Sequence, residues 1–350
     1  MRNVLRRREA GIALALLVVI GVTTAVQPGF LLSAGGWRDL LLTPAILVVL
    51  AVGQAVVVIT RNVDLSVGSV LGLTAYLTGR LFLAAPDLPI LVVALVAVAA
   101  GALLGLINGA IVAFARVPAL VITLGTLYVY RGVTLTWAGS DRIDAGDMPR
   151  TFLGLGTRQV LGVPVLTIVG AVVLLAVAYY LHTSRGGRQL YATGSDPDAA
   201  ALQGLPVRRR LLGAFALGGA LAGLAGVMFA ARYGTVSSGA GLGMELQVVG
   251  AVVVGGVAIF GGSGTVAGAA LGAMLLLTIN RALPVVGIPD FWQRAVVGVL
   301  IIGAIALDRV LANRRSRRLA AARDTDPPAT TPPGDAPPGT GPDDREEATA

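Results

Sequence analysis

The stretch LPILVVALVAVAAGALLGLINGAIVAF, residues 88–114, contains no charged side chain and decides the class of fold. It exceeds the ~20 apolar residues with which an α-helix crosses a hydrocarbon core. Nine further apolar stretches lie along the chain, at residues 10–27, 40–60, 65–85, 118–137, 163–182, 211–231, 244–262, 264–280 and 292–308. Because only helices and closed barrels satisfy their backbone in lipid, the pattern predicts an all-α polytopic membrane protein with about ten transmembrane helices.

The composition excludes most soluble functions. Of the 350 residues, 55% are hydrophobic and only 13% are charged, and the mean hydropathy is +0.80. A soluble domain is about one quarter charged, so a water-soluble enzyme of this length is excluded. The chain has no cysteine and a single histidine, His182, which rules out thiolate and His-cluster metal sites. No metal site, catalytic constellation or cofactor is predicted.

All 27 basic residues are arginines, since the sequence contains no lysine. A phosphate-binding loop of the G-x-x-x-x-G-K-[ST] type needs its lysine on the nucleotide phosphates. The chain therefore has no such loop, and any ATP that powers transport is bound by another polypeptide.

The distribution of arginine predicts the orientation, because cytoplasmic loops retain basic residues. With ten spans and a cytoplasmic N-terminus, 18 of the 27 arginines lie inside. These are Arg2, Arg6, Arg7, Arg8, Arg61, Arg116, Arg185, Arg188, Arg208, Arg209, Arg210, Arg309, Arg314, Arg315, Arg317, Arg318, Arg323 and Arg345. Both termini are predicted to be cytoplasmic. A retained first helix is favoured over a cleaved signal peptide, because residues 11–26 lack a clean cleavage site.

Two regions of different composition define the domains. Residues 1–323 are predicted to form the transmembrane domain. Residues 324–350 contain seven prolines and seven acidic residues, too polar a mixture to bury a core, and predict a disordered cytoplasmic tail. No function is assigned to that tail.

Polar residues at membrane depth are costly and mark candidate pathways. In the segment 54–69, Asp64, Ser66 and Ser69 suit capping of the following helix, with an Arg61–Asp64 ion pair in a tight turn. The alternative is a broken helix that lines a water-filled path. Arg131, inside the fifth span, needs a carbonyl, carboxylate or water partner, whereas the nearby tyrosines suit an interfacial belt. The candidate path residues are Gln54, Asn62, Asp64, Ser66, Asn108, Thr126, Arg131, Glu245 and Gln247.

Two stripes of glycine recur every four residues, and such stripes let helices approach closely. The first comprises Gly101, Gly105 and Gly109, and the second comprises Gly264, Gly268 and Gly272. Packing within the chain is favoured over contact with a second subunit. The stripes lie five crossings apart, which predicts two inverted five-helix repeats.

The loop 184–210, the longest on the predicted inner side, contains a short helix signal. Ser195 suits the cap, Pro197 the first turn and Gly204 the C-terminal stop. The residues with which we expect this helix to act are Asp196, Pro197, Ala199, Ala200 and Gly204.

Several of these segments resemble the ribose-type sugar permeases of ABC importers. They are Gly53-Gln54 with NVDLSVGS (62–69), VPA (117–119), TLGT (123–126), YRG (130–132), YATG (191–194) through Gly204, and GGSGT (261–265) through Gly272. Trp137 and IPDFW (288–292) are most similar to the autoinducer-2 and rhamnose-type import permeases within that family. The resemblance covers residues 45–308. Arg61 departs from it, because the family usually has a glycine pair before the Ile-Asp, and the acidic tail lies outside it.

The resemblance implies the membrane subunit of a binding-protein-dependent importer in the bacterial plasma membrane. An extracytoplasmic solute-binding protein delivers a monosaccharide or sugar-like molecule, and two permease subunits form the path. Separate ATP-binding subunits contact the helix near Ala199, Ala200 and Gly204. Lipid surrounds the spans, and no nucleic acid is involved.

Three other functions are weaker interpretations. A branched-chain amino-acid permease is a related ABC subunit. An ion-coupled transporter favours membrane carboxylates and histidines, of which Asp64 and Glu245 are nearly the whole supply. A lipid-modifying enzyme needs a clustered acid–base or metal set, which the sequence lacks.

Overall fold

The computed structural model describes residues 2–115 and 117–289, together with isolated positions between 292 and 303. This part of the chain contains fourteen α-helices, one 3-10 turn (Ala145–Asp147) and one two-stranded hairpin. The helices are α1 (Arg2–Val26), α2 (Gly29–Leu32), α3 (Ala34–Leu42), α4 (Ala45–Ile59), α5 (Val67–Ala84), α6 (Ile90–Ala115), α7 (Ala119–Ala138), α8 (Arg150–Thr157), α9 (Val165–Thr183), α10 (Arg185–Ser195), α11 (Pro197–Leu202), α12 (Val207–Tyr233), α13 (Met244–Val254) and α14 (Val266–Val285). The hairpin pairs β1 (Gln159–Val160) with β2 (Val163–Pro164).

Eight segments of the described chain are long and apolar enough to cross a bilayer. The prediction of an all-α polytopic membrane protein is confirmed. Large apolar side chains cover the outside of these helices, and on α6 they include Leu91, Leu95 and Leu103. A surface of exposed leucine and valine suits hydrocarbon rather than water.

The core is centred on α4, in which all fifteen residues are buried. A helix that is apolar on every side belongs in the interior of a bundle. It packs against α9, α12, α13 and α14. The longest helix, α12, packs in turn against α4, α5 and α6.

One predicted span is helical over only part of its length. The apolar stretch 244–262 forms a helix of only 11 residues, which ends at Val254. At 1.5 Å per residue it is about 16 Å long, roughly half of a ~30 Å hydrocarbon core. The chain turns after it because Gly255 packs against the carbonyl of Gly268 and Gly256 has a φ of 80°. The predicted span 292–308 falls outside the described residues except at isolated positions, and the tail 324–350 lies wholly outside them.

The two glycine stripes make different contacts. On α6, Gly101 and Gly105 lie against the backbone of α12, and Gly109 lies against the Phe215 side chain of the same helix. This contact lies within the chain and leaves no room for a second subunit. Gly268 and Gly272 lie against Gly255 and Ala251 at the end of α13. Gly264 precedes α14 and is therefore not part of a helical stripe, contrary to expectation.

The helix contacts contain an inverted relationship, though over three helices rather than five. Helices α12 and α4 contact each other, α12 contacts α5 and α6, and α4 contacts α13 and α14. If α4, α5 and α6 change places with α12, α13 and α14 respectively, the same set of contacts results. The glycine stripes do not obey this correspondence. The stripe of α6 packs on α12, so the stripe of α14 should pack on α4, but it packs on α13. The two five-helix repeats stay a prediction, since the last span lies outside the described residues.

The bundle has two distinct ends. At the hairpin end lie β1 and β2, α8 and the start of α4, where Thr167 Oγ1 donates to Leu41 O at 2.9 Å. At the connector end lie α10 and α11, which follow α9 and precede α12.

Candidate functional site

A buried polar cluster fills the turn between α4 and α5. The Asp64 carboxylate accepts hydrogen bonds at Oδ1 from the Ser66 N–H (2.8 Å) and the Ser66 hydroxyl (2.7 Å). Asn108 Nδ2 on α6 donates to Ser66 Oγ at 2.8 Å. These three side chains are at most 1% exposed. Their mutual hydrogen bonds offset the cost of removing polar groups from water.

Gln54 and Tyr130 complete the cluster from α4 and α7. In the orientation that hydrogen bonding favours, the Gln54 amide donates to Asp64 O and accepts from Asp64 N, both at 3.1 Å. The Tyr130 hydroxyl lies 3.1 Å from Asn108 Oδ1 and 3.0 Å from Leu104 O. Sequence reasoning assigned Tyr130 to the interfacial belt, but the structure places it in the core. Four predicted path residues and Tyr130 thus form a closed cluster that joins α4, the turn before α5, α6 and α7.

The predicted Arg61–Asp64 ion pair is absent from the described residues. Arg61 is exposed, whereas Asp64 is directed inward. Arg61 has a φ of 68°, a left-handed conformation that glycine adopts most easily. The structure therefore explains why the family that this sequence resembles usually has glycine near this position.

A cavity of about 380 Å³ opens at the connector end. Asn62 contributes to its wall and donates from Nδ2 to Thr60 O at 2.8 Å. The lining residues are Thr60, Arg61, Asn62, Val63, Val112, Val117, Pro118, Ala119, Leu120, Thr193, Pro197, Val207, Leu211 and Ile259.

A second cavity, of about 400 Å³, opens at the hairpin end. Gln247 is the one predicted path residue on its wall. The lining residues are Thr43, Ile46, Leu47, Phe229, Tyr233, Thr235, Ser237, Gly239, Ala240, Gly241, Leu242, Met244, Gln247 and Leu277. No Asp, Glu, Arg, Lys or His is among them. The cavities therefore lie at opposite ends of α4 and α12, which run antiparallel.

Arg131 lies behind the hairpin-end cavity rather than on its wall. Its Nη1 donates to the carbonyls of Ala240 (2.6 Å) and Ser238 (3.2 Å). Glu245, at the start of α13, interacts with it electrostatically. Arg131 thus has the carbonyl partners that the sequence required. Thr126 lines neither cavity and bonds locally to Thr123 O at 3.3 Å.

The connector is more helical than the sequence predicted, because α10 precedes the short α11. Asp196, not Ser195, caps α11, and its Oδ1 accepts from Asp198 N (3.1 Å) and Ala199 N (3.0 Å). Pro197 is the first helical residue, and Gly204 follows the helix with a φ of 75°. Ala199 and Leu202 are exposed, with Leu202 88% exposed, whereas Ala200 is only 5% exposed.

The connector is packed tightly onto the bundle. The Cα of Gly194 lies against the carbonyl of Ile59, where a side chain has no room. Tyr191 Oη donates to Gly264 O at 3.0 Å, and burial raises the pKa of Tyr191 to about 12. The hydroxyl therefore keeps its proton at neutral pH. No motif in the sequence pointed to these contacts.

The described helices contain no group of three His, Asp or Glu side chains placed to hold a metal. A bundle of apolar helices with a cavity at each end and a packed helical connector suits a membrane transport permease. Residues 38–305 match the family described as branched-chain amino acid transport system / permease component, and the chain belongs to this family.

The relatives specify the type of permease. The chain is 36% identical over 323 residues to the autoinducer 2 import system permease protein LsrC of Enterobacter sp. (strain 638), covering 92% of this chain and 93% of that protein. It is 36% identical over 321 residues to the proteins of the same name from Shigella flexneri and Escherichia coli (strain K12 / DH10B), covering 90% of this chain and 92% of each relative. No solved structure matches the chain. The predicted resemblance to ribose-type ABC importer permeases is confirmed.

Proposed function

We propose that the chain is the translocation subunit of an ABC importer for a neutral sugar-like solute of the autoinducer-2, ribose or rhamnose class. ATP is hydrolysed on a separate subunit, and a solute-binding protein delivers the solute at the hairpin end. The named relatives belong to an autoinducer 2 import system, which supports the class of solute.

The chemistry of the hairpin-end cavity carries this proposal. Its polar groups are the hydroxyls of Thr43, Thr235, Ser237 and Tyr233 and the amide of Gln247. Its volume is within the range typical of small-molecule sites. A zwitterionic amino acid pays a high desolvation cost unless ionised partners compensate its charges. A neutral polyol needs only hydroxyl and amide partners, so the lining favours sugar-like solutes over branched-chain amino acids.

The connector is the proposed docking site of the ATP-binding subunit. Leu202 and Ala199 expose an apolar surface at the tip of α11, and Gly204 adds no side chain there. Ala200 is directed into the chain and supports α11 from within. The absence of lysine from all 350 residues rules out a lysine-containing phosphate loop on this subunit.

The orientation follows from the basic residues near the connector. Arg185 and Arg188 lie in α10, and the cluster 208–210 lies in the first turn of α12, just after α11. Under the positive-inside rule, the connector end and both termini are cytoplasmic. A second permease subunit, identical or homologous, completes the path in the bacterial plasma membrane.

The test is uptake by cells from which the chain has been deleted and then restored. Uptake of radiolabelled autoinducer 2, ribose, rhamnose and leucine is measured in both strains. We expect one of the first three to depend on the chain, and leucine uptake to be unchanged. Dependence of leucine uptake alone would show that the amino-acid alternative is correct.

A variant of the cavity strengthens this test. Gln247→Ala removes the one amide on the cavity wall without changing any charge. We expect it to reduce uptake of the transported solute, while the permease stays in the membrane at normal amounts. Leu246→Ala is the matched control on α13, because Leu246 is exposed and lies off the cavity wall.

A further inference from the structure

We propose that Arg131 is a positioning residue whose guanidinium holds residues 234–243, here called the cavity loop, in place as a wall of the hairpin-end cavity. Release of this contact widens the cavity. The inference deepens the proposed function, because it concerns the same cavity, but the contact itself does not depend on which solute passes.

The cavity loop forms a large part of the cavity wall. Thr235, Ser237, Gly239, Ala240, Gly241 and Leu242 all line it. The loop connects the end of α12 to the start of α13. Any movement of the loop therefore changes the shape of the cavity directly.

Few hydrogen bonds from outside fix the middle of this loop, although Ala240 and Gly241 pack closely against Gly72 and Gly68 of α5. Its start is paired by Val236 with Ile143 through two backbone hydrogen bonds of 2.9 and 3.0 Å. Beyond Val236, its backbone forms turns on itself, such as Ala240 N to Ser237 O at 3.0 Å. Gly241 and Gly243 have φ angles of 75° and 82°. A loop rich in glycine has high conformational freedom unless an outside contact restrains it.

Beside its packing on α5, the loop has one polar restraint from outside, the guanidinium of Arg131. Among the described residues, it provides the only side-chain hydrogen bonds to the segment 237–242, through the carbonyls of Ser238 and Ala240. It is 9% exposed, reaches the loop from α7 and is not among the residues that line the cavity. Hydrogen bonds from a charged donor are among the stronger ones in proteins. Arg131 thus shapes the cavity without contacting the solute.

The surroundings allow the contact to form and to break. The absence of a side chain at Gly72 on α5 leaves space for this contact. A Cβ there would collide with the Ala240 carbonyl and lie 3.2 Å from Arg131 Nη1. Glu245 Oε2 and Arg131 Nε have no hydrogen-bond partner in the described structure. The nearby carboxylate compensates the buried cation when the carbonyls move away, so opening does not leave an isolated charge.

The absence of cysteine from the chain makes the test direct. Ala240→Cys places one thiol at a buried position of the cavity loop, and its reaction with a membrane-impermeant maleimide is timed in the assembled, reconstituted transporter. The same measurement is made with Arg131→Met, which keeps the length but removes the donors, and with Arg131→Lys. Gly72→Ala displaces the carbonyl while Arg131 stays intact. Gly132→Ala is the matched control, since a Cβ there meets nothing within 4 Å.

We expect the thiol at position 240 to react at least about tenfold faster in Arg131→Met, because the variant loses both hydrogen bonds to the loop and one charge-assisted hydrogen bond alone shifts an open–closed equilibrium by roughly that factor. Gly72→Ala should act in the same direction, Arg131→Lys should be intermediate, and Gly132→Ala should equal the parent chain. A reference thiol from Leu161→Cys, at the exposed hairpin, should react equally in all of them.

Unchanged labelling at position 240 in both Arg131→Met and Gly72→Ala would overturn the proposal. If the Arg131→Met variant does not insert into the membrane, the labelling rates of Gly72→Ala and Arg131→Lys decide whether the proposal holds. Solute uptake, measured in parallel, tests the proposed function separately: failure to transport sugar-like solutes leaves the labelling result interpretable.

Discussion

The carbonyl of Ile59 accepts a hydrogen bond from the N–H of Gly262 at 2.9 Å, which joins the end of α4 to the turn that precedes α14. Gly194 of α10 lies against the same carbonyl. Three distant segments of the chain therefore meet at one peptide group, at the base of the connector. We expect a displacement of α10 and α11 to move both neighbouring segments, because few side-chain atoms lie between them.

Gly194→Ala tests this contact. The new methyl group would collide with Ile59 O and lie 2.8 Å from Gly262 N, so the backbones must separate. Overpacking of this kind costs about 1–3 kcal/mol, and we expect a lower unfolding temperature of the purified permease. Stimulation of the partner ATPase should fall as well. Gly213→Ala, where a Cβ meets nothing within 4 Å, is the control and should not lower stability. Equal stability of the two variants would contradict the close contact.

Arg61→Gly tests the strain at the left-handed residue before the polar cluster. A non-glycine residue at a φ of 68° costs roughly 1–2 kcal/mol relative to glycine. We expect Arg61→Gly to be more stable than Arg61→Ala, which loses the same charge but keeps the strain. Thermal unfolding of both variants gives the comparison. A glycine variant no more stable than the alanine variant would show that the turn relaxes in solution.

Tyr130→Phe tests the role of the buried cluster. Loss of the hydroxyl removes a partner of Asn108 Oδ1 and of Leu104 O, and an unpaired buried acceptor costs about 1–3 kcal/mol. We expect reduced stability in thermal unfolding. Tyr128→Phe on the same helix is the matched control, since Tyr128 is exposed, and it should be nearly neutral. The result decides whether the cluster stabilises the bundle.

Asp64→Asn separates structure from transport within the same cluster. The amide keeps an oxygen for the Ser66 N–H but loses the charge that strengthens both bonds from Ser66. Because Asp64 lines neither cavity, we expect a fall in stability, with uptake per folded molecule retained. Normal stability together with abolished uptake would support Asp64 as part of the translocation path.

Leu202→Asp tests the docking surface. A carboxylate at this exposed tip must lose its water when a partner covers it, which opposes binding. We expect a correctly inserted permease that no longer co-purifies with its ATP-binding subunit. Leu161→Asp, at the equally exposed hairpin tip of the opposite end, should co-purify normally. Loss of co-purification in the hairpin variant alone would reverse the assigned orientation.

Hydropathy was enough to predict the eight long spans of the described chain and the polar segment 54–69, because both depend on local composition. It failed at α13, where valine and alanine continue past the glycines at which the helix ends. It also misplaced Tyr130, since the partners of that hydroxyl lie on another helix. The acceptors of Arg131 are backbone carbonyls, which every residue carries, so no sequence pattern marks them.

The complete burial of α4 has a consequence for biogenesis. Its neighbours α12, α13 and α14 are synthesised more than a hundred residues later. Until they emerge from the ribosome, lipid rather than protein must cover the faces of α4 that these helices will occupy. The composition of α4 is compatible with this temporary exposure to lipid. Gln54 is its one polar side chain, and Asp64, the hydrogen-bond partner of Gln54, follows within ten residues. The helix is therefore stable in two environments in succession, first in lipid and then in the finished bundle.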